Sequence, residues 1–241
     1  MGASVRPNGM SSSAAALRYW EHRQEVTSNN LANVSTDGFK SQKVFARMVE
    51  GSLPAADEST DFSQGSLQVT NNPRDIALEG KGFFVVKTPN GERYSRGGSI
   101  RVDDSGSITD ASGHQLLGEN GPIKVTSRAN GDASQIQIAK DGTVTVDKAE
   151  VGRLRVETIA DKTSLQSEGA GLFIPPSKRT RADADANLVR QGSLEQSNVS
   201  AISQMVDMIS IQRAYAAVQK AVTTLDTVRQ IATTELARPS N

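Results

Sequence analysis

Asn29-Asn30-Leu31-Ala32-Asn33-Val34-Ser35-Thr36-Asp37-Gly38-Phe39-Lys40 is the stretch whose reading decides the fold. Its amides and aliphatic groups offer no acid–base chemistry near neutral pH. They suit a helix end rich in side-chain amides that turns at Asp37-Gly38 into an extended arm. Upstream, Ser11 to Leu31 reads as the helix itself. Ser11, Ser12 and Ser13 are N-cap candidates, and Ala14-Ala15-Ala16-Leu17 has strong helical propensity. The apolar stripe is thin: Leu17, Trp20 and Leu31 share a face with Gln24 and Thr27 between them.

The far end of the chain carries a counterpart. Ser197-Asn198 opens a second helix, in which Met208, Ile211, Tyr215, Val218, Val222 and Leu225 follow the 3-4-3-4 spacing of a coiled-coil seam. Ile202, Met205, Val206 and Ile209 widen the apolar surface at its start, Arg229 interrupts it and Pro239 marks its end. About 35 residues at about 1.5 Å each make a rod of about 50 Å.

Between the helices the signals are those of strands. Phe83-Phe84-Val85-Val86 and Arg93-Tyr94 flank the hairpin signature Thr88-Pro89-Asn90-Gly91. Asn120-Gly121, Asn130-Gly131 and Asp141-Gly142 repeat the turn signal, and Asp103-Asp104-Ser105-Gly106 and Ala111-Ser112-Gly113 add two more. Ile136, Ile138, Val144 and Val146 alternate with period two around Asp141-Gly142, as do Gly152, Leu154, Val156 and Thr158. No helix-length pattern lies between these strands, which excludes a βαβ nucleotide-binding fold. Gln64-Gly65-Ser66-Leu67 echoes Gln191-Gly192-Ser193-Leu194. The echo is either chance among Ser- and Gly-rich loops, or two strands running side by side into and out of the β region.

The predicted fold is therefore α+β, mainly β: a central antiparallel β domain flanked by N- and C-terminal helices that pair in a coiled-coil-like bundle. The boundaries are 1–40 for the first helix and turn, 41–74 for an extended connector, 75–176 for the β domain, 177–190 for a polar linker and 191–241 for the C-terminal helix.

Composition narrows the function. Of 241 residues 36% are apolar and 4% aromatic, a thin supply for one compact core. The charge balances at 27 basic and 27 acidic residues, so neither nucleic acid nor an anionic membrane is the expected partner. Cysteine is absent, which removes disulfides, thiolate metal sites and Cys nucleophiles. Met1 to Ser13 is polar with no apolar signal-peptide core, and no apolar run reaches the ~20 residues of a membrane span. Gly80-Lys81-Gly82 begins like a phosphate loop, but Val85 stands where a third Gly is needed. The two histidines, His22 and His114, sit in unrelated contexts, and no Gly-x-Ser-x-Gly elbow exists. Asp103-Asp104-Ser105-Gly106 lacks the bidentate Glu of a calcium loop. Lys178-Arg179-Thr180-Arg181 reads as solvated linker. No catalytic residue, cofactor or metal site is expected.

The ordered set of motifs resembles the flagellar basal-body rod and hook protein family. Asn29 to Lys40 is similar to its N-terminal signature, and Asp75-Ile76-Ala77-Leu78-Glu79-Gly80-Lys81-Gly82-Phe83-Phe84-Val85-Val86 to its second marker. Tyr94-Ser95-Arg96-Gly97-Gly98-Ser99-Ile100 resembles a Tyr-x-Arg-x-Gly-x-Phe segment with Ile100 in place of Phe. Gln191 to Val199, Met205 to Ile209 and Gln212-Arg213-Ala214-Tyr215 resemble the C-terminal signature. Within the family, Gly118 to Ile123 and Val151 to Leu154 look most like the proximal rod subtype, with the distal rod subtype next. Met1 to Ser13 departs from the family's short apolar start.

The resemblance implies a structural subunit of the periplasm-spanning basal-body rod. It implies assembly with itself and with other rod subunits in a helical array, and delivery by the flagellar type III export apparatus, without nucleic-acid binding or stable membrane insertion. The expected assembly interface comprises Asn29, Asn30, Leu31, Ala32, Asn33, Gly38, Phe39, Asn198 and Val199. On the C-terminal helix it continues through Met205, Met208, Ile209, Ile211, Tyr215, Val218, Val222 and Leu225. The amides can bond across subunits without burying charge, and the apolar seam needs partners to cover it. The competing readings are a distal rod or hook-family subunit, a secreted β-domain binding module with helical oligomerisation arms, and a cell-wall enzyme, for which no paired-carboxylate or His-centred constellation exists.

Overall fold

The structure, a computed structural model, describes residues 9–47, 55–125, 136–159, 161–162, 165–169, 171–176, 180–181 and 187–236. The chain divides into two compact units: residues 1–32, 42–61 and 200–241 form a helical unit, and residues 33–41 and 62–199 form a β unit.

In the helical unit, α1 (Gly9–Ala32) and α2 (Ala201–Leu236) run antiparallel. Asn30 bonds Gln204 at one end, and Tyr215 bonds Glu21 further along. The predicted stripe is found. Thr27 and Asn30 are buried with Val26, and Leu17, Trp20 and Leu31 are half-buried. α1 begins at Gly9, so Ser11, Ser12 and Ser13 lie inside its first turns rather than capping it.

The 41–74 connector is not simply extended. β1 (Gln42–Arg47) and β2 (Ala55–Thr60) pair antiparallel from Gln42↔Thr60 to Arg47↔Ala55. Ala55-Ala56-Asp57-Glu58 has poor strand propensity. Charge pairing compensates: Arg47 Nε lies 3.1 Å from Asp57 Oδ2, Lys43 Nζ 2.8 Å from Asp61 Oδ2, and His22 Nε2 of α1 2.7 Å from Glu58 Oε1.

The β unit holds the remaining strands, in chain order β3 (Leu67–Val69), β4 (Asp75–Gly80), β5 (Phe83–Thr88), β6 (Gly91–Ser95), β7 (Gly97–Ser99), β8 (Arg101–Val102) and β9 (Ile108–Thr109). There follow β10 (Gln115–Gly118), β11 (Gly121–Pro122), β12 (Ile136–Ile138), β13 (Thr143–Val146), β14 (Ala149–Arg153) and β15 (Val156–Thr158). The last are β16 (Gln166–Gly169), β17 (Leu172–Ile174), β18 (Thr180–Arg181), β19 (Asn187–Gln191) and β20 (Ser193–Glu195). The main sheet runs β16-β17-β6-β5-β10-β9-β8, with β15 also on β5, β18 on β15 and β11 on β10. Smaller sheets are β12-β13-β14, β19-β4-β7 and β20-β3, and every pairing is antiparallel.

The apolar run Phe83-Phe84-Val85-Val86 becomes a strand buried on both faces. Phe84 and Val86 join a core with Ile76, Leu78, Leu116, Val144 and Val189, while Phe83 and Val85 join another with Tyr94, Leu117 and Phe173. The predicted pairs Ile136–Val146 and Ile138–Val144 face one another across Asp141-Gly142. The turns at Pro89-Asn90, Asp103–Gly106, Ala111–Gly113 and Asn120-Gly121 separate strands as expected, whereas Asn130-Gly131 lies outside the described residues.

The 177–190 linker differs from expectation. Thr180–Arg181 is a strand on β15, and Asn187–Gln191 is a strand along β4 with Val189 in the core; residues 177–179 and 182–186 lie outside the described residues, as does Pro239.

Candidate assembly site

The internal echo is a structural pair. β3 lies antiparallel to β20 in the register Leu67↔Glu195, Gln68↔Leu194 and Val69↔Ser193. The two glutamines do similar work. Gln64 donates to Leu78 O and accepts from Gly80 N, and Gln191 donates to Pro73 O and Ile136 O and accepts from Ile138 N. Each satisfies backbone groups where a strand would otherwise end unpaired. Gly65 is required, because a Cβ there would stand 1.9 Å from Gln196 O.

This ribbon places Glu195 at the centre of a buried ionic cluster. One carboxylate oxygen accepts from Lys40 Nζ at 2.5 Å and from Gly65 N at 3.0 Å, and the other from Arg96 Nε at 2.8 Å. The three side chains are 1%, 3% and 1% exposed for Lys40, Arg96 and Glu195. The remaining donors are also used: Lys40 Nζ reaches Ser63 O at 2.7 Å, and Arg96 reaches Leu78 O at 2.9 Å and Gly82 O. The guanidinium also sits 5.7 Å over the Phe83 ring. Gly38, with φ +68°, brings its N–H within 2.6 Å of Glu195 O, so the predicted left-handed turn docks the signature stretch on this ribbon. Cations outnumber the carboxylate here. Burial, and then Arg96, Lys40 and Lys81, push the Lys162 ammonium below its usual pKa. Asp37 is pushed up by burial and by the charge of Asp75.

The signature asparagines serve intramolecular closure. In the helical unit, Asn30 donates to Gln42 O at 2.7 Å and accepts from Gln42 N at 2.9 Å. In the β unit, Asn198 accepts from Ser41 N at 2.8 Å and donates to Ser63 O at 3.2 Å. Two successive backbone N–H groups are thus held by amides from opposite ends of the chain. Asn33 Oδ1 accepts from the Thr36 hydroxyl. Asn29 and Ala32 are exposed, and Leu31, Phe39 and Val199 half-buried.

On α2 the predicted seam turns inward. Ile211 is buried, and Met208, Tyr215, Val218 and Val222 are half-buried. Ile211 is consequently an interior residue of the chain's own helix pair, not part of an outer surface. Leu225 is exposed, and the helix continues with Val228 and Ile231 also exposed. Ile202, Met205, Val206 and Ile209 stand at i, i+3, i+4 and i+7, between 52% and 77% exposed. At about 100° per residue they face away from the seam. α2 therefore has two apolar faces, of which the described residues cover one.

Lys40, Arg96 and Glu195 are the site residues that sequence reasoning missed. Each lies inside a stretch quoted for its motif, among Ser, Asn and Gln residues that give a charged side chain no contrast. Among the described residues no helix is long and apolar enough to cross a membrane, and no group of three or more His, Asp or Glu could hold a metal ion.

The sequence is similar to those of known proteins. Residues 12–40 match the family described as Flagella basal body rod protein, residues 77–146 the Flagellar hook protein FlgE/F/G D1 domain, and residues 190–235 the Flagellar basal body rod FlgEFG protein C-terminal. The chain is 36% identical over 228 residues to the flagellar basal-body rod protein FlgF of Escherichia coli K12, covering 85% of this chain and 88% of that protein. It is 33% identical to FlgF of Salmonella typhimurium, with the same shares covered. It is 31% identical to the flagellar basal-body rod protein FlgG of Buchnera aphidicola subsp. Acyrthosiphon pisum, over 85% of this chain and 90% of that protein.

Proposed function

The chain belongs to the flagellar basal-body rod protein family, and from that premise we propose that it is the proximal-rod subunit, with α2 as the surface that neighbours cover. It is a structural subunit of the bacterial flagellar basal-body rod, the drive shaft of motility, and its place is the basal body. The observation that carries the assembly mechanism is the exposed face Ile202, Met205, Val206 and Ile209, opposite a seam already filled by α1. Contiguous apolar surface of this kind marks an association site. Contacts between unlike patches, repeated from copy to copy or between related subunits, build an open helical array rather than a closed ring.

Two features support the proximal subtype. The FlgF proteins of Escherichia coli and Salmonella typhimurium show 36% and 33% identity, against 31% for FlgG of Buchnera and 29% for FlgF of Caulobacter vibrioides. The Gly118–Ile123 and Val151–Leu154 segments also resemble the proximal subtype more than the distal one. The expected interface residues Asn29, Ala32, Met205, Ile209 and Leu225 keep exposed positions suited to intersubunit contact. Delivery through the flagellar type III export apparatus belongs to the same proposal. Locating the tagged chain in purified basal bodies tests it. Label at the end of the rod nearest the export gate is the expected result, and label toward the hook would assign the chain to the distal rod.

A further inference from the structure

We propose that Glu195 is a completion latch: the β unit closes only when the C-terminal stretch Asn187–Gln196 arrives, because one late carboxylate neutralises two cations supplied much earlier in the chain. Lys40 precedes Glu195 by 155 residues and Arg96 by 99, and both are buried against that carboxylate. Burying either cation without that counter-charge takes a large share of a marginal folding stability.

The same stretch completes the sheet and the core. Among the described residues β4 pairs with two strands, β19 and β7, and its residues Asp75–Leu78 are buried. Val189 fills the core beside Ile76 and Leu78. Asn187 Oδ1 accepts from Gly82 N at 2.6 Å, and Gly192 N donates to Asp75 O at 2.8 Å. Glu195 O takes the Gly38 N–H. A chain lacking residues 187–196 would have an open β4 edge, a hole in the core and two buried cations deprived of the carboxylate they share. α2 begins later still, at Ala201, so the helical unit also waits for the C-terminus. A subunit built this way stays open, and therefore unable to present a finished surface, until its C-terminal strands have appeared. The inference does not depend on whether the subunit is proximal or distal.

Pulse-labelled hydrogen exchange during refolding of the full chain tests the latch. Amides of β4 and β7 are expected to gain protection in the same kinetic phase as those of β19 and β20. Protection of β4 and β7 in an earlier phase would overturn the proposal. Glu195→Gln is expected to lower the folded-to-unfolded ratio on the order of 100-fold. Adding Lys40→Met to Glu195→Gln removes the stranded ammonium and is expected to recover about tenfold of that loss. A double variant no more stable than Glu195→Gln alone would show that charge neutralisation is not what closes the unit.

Discussion

Nζ of Lys40 lies 2.5 Å from Oε1 of Glu195, with both side chains almost wholly withdrawn from water and 155 residues of chain between them. Glu195 also holds Arg96, so the two ends of the Lys40 pair are not equivalent. Glu195→Ala takes the shared carboxylate from two buried cations and should cost about 3–5 kcal/mol, whereas Lys40→Met keeps Arg96 paired and should cost less. Urea midpoints of the β unit measure both. Equal losses would mean that the cations do not share one carboxylate.

The clamp on Ser41 and Gln42 predicts a residue-specific signature. Asn30→Ala should speed amide exchange at Gln42, and Asn198→Ala at Ser41, because each removes the acceptor of that one N–H. Each should cost about 1–3 kcal/mol, the penalty for orphaning backbone groups. Exchange unchanged at the paired amide would contradict the assignment.

The two faces of α2 should separate folding from assembly. Ile211→Ala opens a cavity in the helix pair and should cost about 2–5 kcal/mol. Ile209→Asp, on the exposed face, should change stability by no more than about 0.5 kcal/mol, yet prevent incorporation into basal bodies and abolish swimming. A motile Ile209→Asp strain would remove this face from the interface.

Acid should loosen the hairpins through Asp103 and Asp141. Hydrogen bonds from the Ser105 hydroxyl and the Ser107 N–H hold the Asp103 carboxyl below its ordinary 3.8, and bonds from the Thr143 N–H and hydroxyl do the same for Asp141. A folded-state pKa below the unfolded one adds stability that is complete above 3.8 and lost as pH falls through the lower folded value. Carboxyl chemical shifts followed between pH 5 and 2 should show both groups titrating below 3.8. Midpoints at or above that value would remove the contribution.

Much of the fold is legible in the sequence because local chemistry dictates it. Asp141-Gly142 sets a turn, Ile136 and Ile138 alternate toward Val146 and Val144, and the Met208-to-Val222 spacing writes an inward seam. The β1–β2 hairpin is not legible, because Ala55 to Thr60 lacks strand propensity and is held by Arg47, Lys43 and His22 from elsewhere. Nor are the partners of Asn30 and Asn198 legible. An amide advertises hydrogen-bonding capacity without saying whether the acceptor lies in the same chain. Lys40, Arg96 and Glu195 are joined by no periodicity at all: they come from three distant segments, and only the folded chain brings them together.

That ribbon has a consequence for how such proteins diversify. Ser66 and Gln196 bond each other, so the backbone comes in beside the point at which it goes out. Material between those two points can lengthen, shrink or be exchanged while the paired strands stay put. Exposed turns such as Pro89-Asn90 and Ala111-Ser112-Gly113 are therefore free ground for grafting, and a lineage can redecorate the outside of its shaft without redesigning the joint.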